Sequence, residues 1–540
     1  PGLVRRSCHA VVFGEIVYDA AMAKTEPALE SSRNCWRIEQ ADKATVIIDA
    51  EDYFHRAREA MLGARDQLLL VGWDFDGRIK LVYDHEDEGP AQVGPFIEWL
   101  VRKSPSLSVY LLRWDTGALK SLFRGNTALT LLRWVRDRQI HVKLDGHHPP
   151  AGSHHQKIVV VDDCLAFCGG IDMTGDRWDT RDHDDVEPRR IEPDGTPYGP
   201  WHDATTALSG PVAKALGELC RERWARAGGG ELPEPSPRDA CWPGDLDVDF
   251  TDCSVAISRT MPEMPDTPPV FEIEQLYIDL IARAEHWIYA ESQYFASHRV
   301  AKAIAARLEE DDGPEIVIIN PVTAEGWLEP IAMDTARARI IEALRRHDRH
   351  DRLRLYHPMT RGGQPIYVHA KVTIIDGEIL RVGSSNFNNR SMRIDSECDV
   401  TIDSTRSENA HCTDTVRAVA FNLLAEHLGT RAATVEASLA QTGSLIAAIE
   451  RNNRVGQRHL KRYEMPELNG VEEALADNQI LDPENPDEMV EVMQRKQLLR
   501  GLKSVRERPI AQPATLALLG VGIVAAAAGG LFLGRRKPRD

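Results

Sequence analysis

The sequence predicts an α/β protein built from two duplicated domains, each with a mixed β-sheet flanked by helices. Short apolar runs that resemble buried strands alternate with stretches of helical periodicity, which is typical of a layered α/β architecture. The same order of runs occurs twice, and each copy carries the motif HxKxxxxD. The chain has 540 residues, which is more than one hydrophobic core usually holds.

The first copy contains a helix followed by four strands. The helix is predicted from Ala50 to Leu62, because Ala50-Glu51-Asp52 precedes apolar residues at helical spacing. The strands are predicted from mostly apolar runs at residues 67–71, 108–112, 140–144 and 158–161. The last of these runs lies within the first motif.

The second copy repeats the four strands in the same order, at residues 287–290, 315–319, 353–356 and 372–375. The two motif histidines are 214 residues apart, which is too long for a solenoid repeat and fits a duplicated domain. A Gly/Pro-rich stretch at 228–244 is predicted to join the copies. Helical spacing continues at 414–427 and 434–449.

These features divide the chain into five parts. We predict an N-terminal lead-in at residues 1–45, one domain at 46–240 and a second at 241–430. A helical and acidic region follows at 431–512. Residues 513–534 are apolar and flanked by basic residues, and their length matches a bilayer, so they predict a transmembrane helix. We therefore expect a membrane-associated protein with a cytoplasmic catalytic part. Its orientation stays open because both flanks are basic.

Both motifs place a histidine and a lysine two residues apart. In an extended strand such residues share a face, so His155 and Lys157 are expected to point the same way. Small residues downstream would let the backbone approach a phosphate. One short motif is weak evidence, but two copies at corresponding places are specific. The first motif and its downstream residues are His155, Lys157, Asp162, Gly169 and Gly170; the second set is His369, Lys371, Asp376, Gly383, Ser384 and Asn386.

The duplicated motif resembles the signature of the phospholipase D superfamily, and the resemblance covers about residues 46–430. Several local stretches also resemble eukaryotic-type phospholipase D enzymes, which favours the lipid branch over the nuclease branch. These stretches are Gly72-Trp73-Asp74-Phe75-Asp76, Gly169-Gly170-Ile171-Asp172, Arg177-Trp178-Asp179, Trp201-His202-Asp203 and Glu291-Ser292-Gln293-Tyr294-Phe295.

The resemblance implies an active site at the interface of the two domains, in which His155 attacks phosphorus and forms a phosphohistidine. His369 would protonate the leaving alcohol and then act as base for the acceptor. The sequence alone does not decide which histidine is the nucleophile. Lys157 and Lys371 would stabilise the phosphoryl oxygens, so the scheme requires no metal and no other cofactor.

Each histidine also needs a carboxylate that orients it. By resemblance, Glu397 is expected to serve His369. For His155 we favour Asp203, with Asp179, Asp182, Asp184 and Asp185 as alternatives. The motif aspartates Asp162 and Asp376 are expected to hold the strand–turn geometry. Gly170 and Asp172 differ from the GSxN pattern of the second motif.

Composition excludes some functions. The net charge of −18 disfavours general nucleic-acid binding. Nine cysteines at irregular spacing indicate neither a zinc site nor a disulfide framework, and they fit reduced thiols. The acidic run at 182–185 is interpreted as a charged loop rather than a metal site, and His154 is expected to face away from His155 without a chemical role.

Phospholipase D activity on a phospholipid substrate at a membrane is therefore the leading hypothesis. A cardiolipin-synthase-like phosphatidyltransferase would use the same first step with a different acceptor. A nuclease of the superfamily and a non-catalytic lipid-binding protein are further alternatives. The sequence leaves headgroup preference and oligomeric state open.

Overall fold

The computed structural model describes residues 28–83, 89–115, 134, 137–149, 152–238, 241–324 and 333–465. The strands of its first half are β1 Arg37–Ile48, β2 Gln67–Gly72, β3 Ser108–Trp114, β4 Ile140–Asp145, β5 Ile158–Val161, β6 Leu165–Gly169, β7 Trp201–His202 and β8 Ala204–Ser209. The helices of this half are α1 Ala50–Leu62, α2 Val93–Lys103 and α3 Pro211–Trp224.

The second half has the same plan with additional elements at its end. Its strands are β9 Phe250–Met261, β10 Val270–Phe271, β11 Trp287–Glu291, β12 Glu315–Ile319, β13 Leu353–Met359, β14 Tyr367–Val368, β15 Val372–Ile375, β16 Ile379–Gly383, β17 Glu397–Asp403 and β18 His459–Arg462. Its helices are α4 Glu272–Arg283, α5 His298–Glu309, α6 Thr335–His347, α7 Asn389–Arg393, α8 Thr413–His427, α9 Ala432–Thr442 and α10 Leu445–Asn452.

One large mixed sheet runs through both halves, in the order β18-β13-β12-β11-β15-β16-β17-β9-β1-β8-β6-β5-β2-β3-β4. β2, β3 and β4 are parallel neighbours, as are β11, β12 and β13 in the second half. β1 and β9 pair antiparallel at the centre and join the halves. The predicted α/β fold with two related halves is therefore confirmed, and the two sheets form one continuous sheet.

Helices cover both faces of this sheet, which explains why β2, β5 and β15 are buried and mostly apolar. On one face, α3 of the first half and α8, α9 and α10 of the second pack on a core that spans both halves. On the other face, α1 and α2 cover the first half and α4, α5 and α6 cover the second. The motif strands β5 and β15 are fully buried in this arrangement, so the groups beside them are held rigidly.

Two short crossings connect the halves beside the motifs. β7 of the first half pairs parallel with β14 of the second, aligning Trp201 with Tyr367 and His202 with Val368. At the second crossing, His154 forms a single parallel bridge with Ser396. Each crossing carries one half of the chain into the immediate neighbourhood of the other half's motif.

Some elements differ from the sequence prediction. β1 begins at Arg37, inside the lead-in predicted to end at residue 45, because its partners β8 and β9 are distant in sequence. The helix predicted over 434–449 is two helices, α9 and α10. Gly443 ends α9 with a φ of 66°, and Ser444 caps α10 by accepting a hydrogen bond from the Ala447 N–H.

The cysteine prediction is wrong at one pair. Cys164 and Cys241 form a disulfide between the turn that joins β5 to β6 and the stretch predicted as a linker. That stretch packs back on the first half, where Arg238 lies 2.5 Å from Asp162. Spacing in the sequence could not show this pairing, because it depends on where the stretch folds.

In the part of the chain that the structure describes, no helix is both long and apolar enough to cross a membrane. We therefore correct the prediction of membrane attachment through a C-terminal transmembrane helix. Residues 513–534 themselves lie outside the described part of the chain.

Candidate active site

The two motif histidines face each other where the halves meet. His155 and Lys157 lie immediately before β5, and His369 and Lys371 lie immediately before β15. The centroids of the two imidazole rings are 6.5 Å apart. Rings at this separation can contact one phosphoryl group from opposite sides, which is the alignment that an in-line displacement requires.

Each imidazole contacts a carboxylate from the opposite half. Nδ1 of His155 lies 3.0 and 3.1 Å from the two Glu397 oxygens, and Nδ1 of His369 lies 2.7 Å from Oδ2 of Asp203. We expected the reverse partnerships, so that part of the prediction is wrong. The physical reason is that each crossing brings a carboxylate of one half to the motif histidine of the other half.

Burial raises the pKa of both carboxyl groups. The pKa of Glu397 rises to about 8, although Lys157 and hydrogen bonds from Ser384 and Ser391 oppose the shift. The pKa of Asp203 rises to about 6, opposed first by Lys371. Ser391 donates to Oε1 of Glu397 at 2.7 Å, and Ser384 donates to Oε2. Ser384 therefore contacts the orienting carboxylate.

Burial also lowers the pKa of both imidazoles well below the usual value, and the nearby lysine ammonium groups add to the effect. Both rings are therefore neutral near pH 7. With Nδ1–H directed at a carboxylate, a neutral ring keeps its Nε2 lone pair free for nucleophilic attack or proton transfer. The two sites are equivalent in this respect.

Each motif lysine contacts the backbone of its own motif histidine. Nζ of Lys157 donates to the carbonyl oxygen of His155 at 2.8 Å and lies 3.1 Å from Oδ2 of Asp172. Nζ of Lys371 donates to the carbonyl oxygen of His369. Burial lowers the pKa of Lys371 to about 7, although Asp203 opposes the shift. A bound phosphate would favour the charged form of these amines and be stabilised by it.

The motif aspartates lie at the far ends of the motif strands. Asp162 accepts backbone N–H bonds from residues 65, 66 and 67, at 2.7 to 2.9 Å. Asp376 accepts the equivalent bonds from residues 285, 286 and 287, at 2.7 to 2.8 Å. Each fixes the turn that leads into the neighbouring strand, β2 or β11, and neither touches the histidines.

Two family profiles match the chain, and each includes one histidine–lysine motif. A profile described as phospholipase D matches residues 60–265. A profile described as cardiolipin synthase, phospholipase D-like domain, matches residues 277–417. The chain belongs to the phospholipase D superfamily.

Curated relatives within the superfamily are similar to most of this chain. Phospholipase D alpha 1 of Carica papaya is 24% identical over 477 residues, and that of Arabidopsis thaliana is 24% identical over 476. Both matches cover 63% of this chain and 58% of the relative. The chain thus spans less than two thirds of their length. Among solved structures, phosphatidylserine synthase of Haemophilus influenzae Rd KW20 is 12% identical, with a TM-score of 0.49, over 86% of this chain and 95% of that one.

The remaining predicted site residues of this superfamily member pack around the two histidine–carboxylate pairs, His155–Glu397 and His369–Asp203. Gly170 lies against Asp203, and a Cβ at this position would meet Oδ1 of Asp203 at 2.1 Å. The glycine therefore makes room for the carboxylate that contacts His369. Asn386 is buried, and its Oδ1 accepts the backbone N–H of Gln293 at 3.3 Å. It thereby ties the loop after β16 to the loop after β11.

Sequence reasoning assigned no role to several residues that contact the site. The Arg177 guanidinium lies 4.3 Å from the centre of the Trp201 ring, which stacks on Tyr367 and lies 5.4 Å from His369. Arg177 also helps to lower the pKa of His369, after burial and Lys371. Arg177 and Trp201 occur in stretches that carried the resemblance to phospholipase D, but only the fold places them beside His369.

Directly behind the His369–Asp203 pair lies a buried cluster of Asp49, His183, His202 and Glu426, whose ligand atoms all lie within 4.8 Å of one another. The distances between its nitrogen and oxygen atoms are 2.9 to 3.4 Å. Those spacings are close to the edges of a tetrahedral metal site, in which each ligand lies about 2.0–2.2 Å from the ion. These four residues could therefore hold a divalent cation.

The cluster is tied to the active site through the backbone. The Asp203 N–H donates to Oδ1 of Asp49 at 3.1 Å, and the His369 N–H donates to the carbonyl oxygen of His202 at 2.8 Å. His183 belongs to the run interpreted as a charged loop, yet it is 1% exposed. That interpretation is wrong for His183, because its partners are separated from it by many residues in the sequence.

Proposed function

We propose that this protein is a phospholipase D, which hydrolyses the distal phosphodiester of glycerophospholipids to phosphatidic acid and a headgroup alcohol. The observation that carries the proposal is the facing pair of imidazoles, each with a carboxylate at Nδ1 and a lysine beside it. The likeness to plant phospholipase D alpha 1 supports a phospholipid as the substrate. The acidic net charge of −18 is unfavourable for a nucleic acid.

In the first step, Nε2 of His155 attacks phosphorus and the bond from phosphorus to the headgroup oxygen breaks. His369, protonated at Nε2, donates its proton to the leaving alkoxide, so the headgroup departs as a neutral alcohol. Lys157 and Lys371 stabilise the charge on the non-bridging oxygens. The product of this step is phosphatidyl-His155 with a neutral His369.

In the second step, His369 takes a proton from water as the water oxygen attacks phosphorus. The phosphorus–nitrogen bond breaks, and phosphatidic acid leaves with His155 restored. The cycle needs one neutral and one protonated imidazole, whereas burial and the lysines keep both neutral in the free protein. Binding of the anionic phosphodiester supplies the negative charge that favours protonation of His369.

A phosphatidyltransferase is the second candidate, because the profile matching residues 277–417 is described as cardiolipin synthase. The first step would be the same. In the second, a lipid or alcohol hydroxyl would replace water, and His369 would deprotonate it in the same position.

The test is headgroup release by the purified chain from vesicles of phosphatidylcholine, phosphatidylethanolamine or phosphatidylglycerol, with and without added ethanol. We expect phosphatidic acid and free headgroup, both lost in His155→Ala and retained in the control His411→Ala, which changes an exposed histidine. Formation of only phosphatidylethanol, or of cardiolipin from phosphatidylglycerol, would identify a transferase. Absence of turnover on every lipid would refute the proposed function.

Mass spectrometry of acid-sensitive adducts after rapid quenching would identify the nucleophile. We expect the phosphatidyl group on His155 of the wild-type chain and no adduct in His155→Ala. An adduct on His369 instead would reverse the two roles.

A further inference from the structure

The carboxylate of Glu397 reaches His155 only because the segment around residue 396 crosses to the first half. The His155 N–H donates to the Ser396 carbonyl oxygen, and the Ser396 N–H donates to the Ser153 carbonyl oxygen, both at 2.9 Å. The Gln156 amide donates to the carbonyl oxygen of Glu397 at 3.0 Å. The distance between Glu397 and the His155 ring is therefore set by this crossing.

The side chain of His154 lies on the other side of the crossing from His155. Its Nδ1 is 2.8 Å from Oγ of Ser396, and its Nε2 is 3.0 Å from Oδ1 of Asp145. The ring is 5% exposed. Burial, with Arg223 nearby, lowers the pKa of His154 to about 4, although Asp145 opposes the shift. The ring is therefore neutral at pH 7, with Nδ1 beside the Ser396 hydroxyl and Nε2 beside the Asp145 carboxylate.

Arg223 closes this set of contacts into a ring. Its Nη2 donates to Oδ2 of Asp145 at 2.9 Å, and its Nη1 donates to Oε1 of Gln156 at 2.7 Å. Asp145, Gln156 and Arg223 are at most 5% exposed. The contacts run from Asp145 through His154 and Ser396 to Glu397, and return through Gln156 and Arg223. Such a closed, buried network restricts the movement of every member.

The other crossing shows why a side chain is needed here. The His369 N–H donates to the carbonyl oxygen of His202, as the His155 N–H does to that of Ser396. At that crossing β7 and β14 pair over two residues, with apolar Val368 in the place that His154 occupies. The crossing at His154 has a single bridge. The crossing at His154 therefore has less backbone pairing than the crossing of β7 and β14, and a side-chain network holds it in place.

We propose that His154, held by Asp145 and Arg223, is a positioning residue that keeps Glu397 against Nδ1 of His155. His154 does not contact the reacting atoms and acts through Ser396. The inference deepens the proposed function and rests on it for the role of Glu397. Because Lys157 and Lys371 are outside this network, its loss should slow the chemical step and leave phosphate binding unchanged.

The first test measures kcat and KM on phosphatidylcholine vesicles for His154→Ala and for two partial replacements. In His154→Asn the amide can still reach Ser396 but not Asp145, whereas in His154→Gln it can reach Asp145 but not Ser396. We expect His154→Ala to lower kcat at least about tenfold with KM within about twofold, and each amide to restore part of the loss. A rise in KM with unchanged kcat would refute the positioning role.

A double-mutant cycle with Glu397→Gln separates positioning from general weakening of the fold. If His154 acts through Glu397, adding His154→Ala to Glu397→Gln causes little further loss of kcat. Two losses that multiply would show that His154 acts elsewhere and would overturn the proposal. Ser396→Ala removes only a hydroxyl and replaces His154→Ala in the cycle if the latter does not fold.

A substrate-free readout makes failure of this inference distinct from failure of the proposed function. The His155 side chain is 15% exposed, so diethyl pyrocarbonate can reach it. The rate of its modification at pH 7 is read by mass spectrometry of the His155 peptide. We expect the rate to fall by a similar factor in His154→Ala and Glu397→Gln, with His411 of the same samples unchanged. If the wild-type chain turns over no phospholipid but these rates still fall together, the positioning stands and the phospholipase assignment fails. Wild-type reactivity in His154→Ala refutes the positioning.

Discussion

Replacing Glu397 with glutamine should stabilise the protein while it abolishes most activity. The side chain is completely buried, and its pKa rises from 4.5 to about 8 on folding. Between these values the folded state holds a proton that the unfolded chain has lost. The charged form is therefore penalised on folding, and stability falls as the pH rises from 4.5 through about 8.

The size of the effect follows from the pKa difference. Each pH unit within this window is worth about 1.4 kcal/mol. Glutamine does not ionise, so Glu397→Gln should raise the free energy of unfolding by about 1 kcal/mol at pH 5, about 3 kcal/mol at pH 7 and up to about 5 kcal/mol above pH 8. Activity should fall about 10²-fold or more, because the Glu397 carboxyl group can ionise when the His155 ring becomes charged and an amide cannot.

The assay is urea denaturation at pH 5, 7 and 9, followed by fluorescence, beside headgroup release from vesicles. The control is Glu436→Gln, which changes an exposed glutamate and should leave both measurements unchanged. A stability gain that is the same at all three pH values would show that the buried charge is not its source. Wild-type activity would show that Glu397 does not orient the nucleophile.

Three further predictions concern other parts of the molecule. Lys157→Ala and Lys371→Ala should each remove most turnover with folding intact by circular dichroism, since in the proposed mechanism the amines stabilise the phosphoryl oxygens. Full turnover in either variant would contradict the two-lysine scheme. The Cys164–Cys241 disulfide closes a loop of 77 residues, so Cys164→Ser should lower the free energy of unfolding by about 2–4 kcal/mol. Reduction of the wild-type protein with dithiothreitol should lower its free energy of unfolding to the same value. Adding Zn²⁺ to chelator-treated protein should stabilise it through the buried cluster, because His and carboxylate ligands at this spacing suit that ion. The melting temperature should rise, and the free energy of unfolding should increase by about 2.7 kcal/mol at a hundredfold excess of the ion over Kd. A rise that persists in Asp49→Asn would place the ion elsewhere.

The sequence by itself determined the plan of the fold and predicted the reacting groups. The eight strands predicted from apolar runs all occur. Strands such as β2, β5 and β15 show why they could be predicted, because burial between two layers of helices favours apolar residues along the strand. The motif pairs were visible because histidine and lysine must lie two residues apart to share a face. Both features are local, so a single stretch of sequence records each of them.

Only the tertiary structure decided which groups meet. Glu397 and Asp203 were identified as orienting carboxylates, but each serves the histidine that the sequence did not suggest. The exchange arises from crossings between the halves, which join residues 242 positions apart at His155 and Glu397. The supporting network of His154 and the buried cluster behind Asp203 have the same origin. No local pattern encodes such contacts, because they depend on how two halves of one sheet are placed against each other.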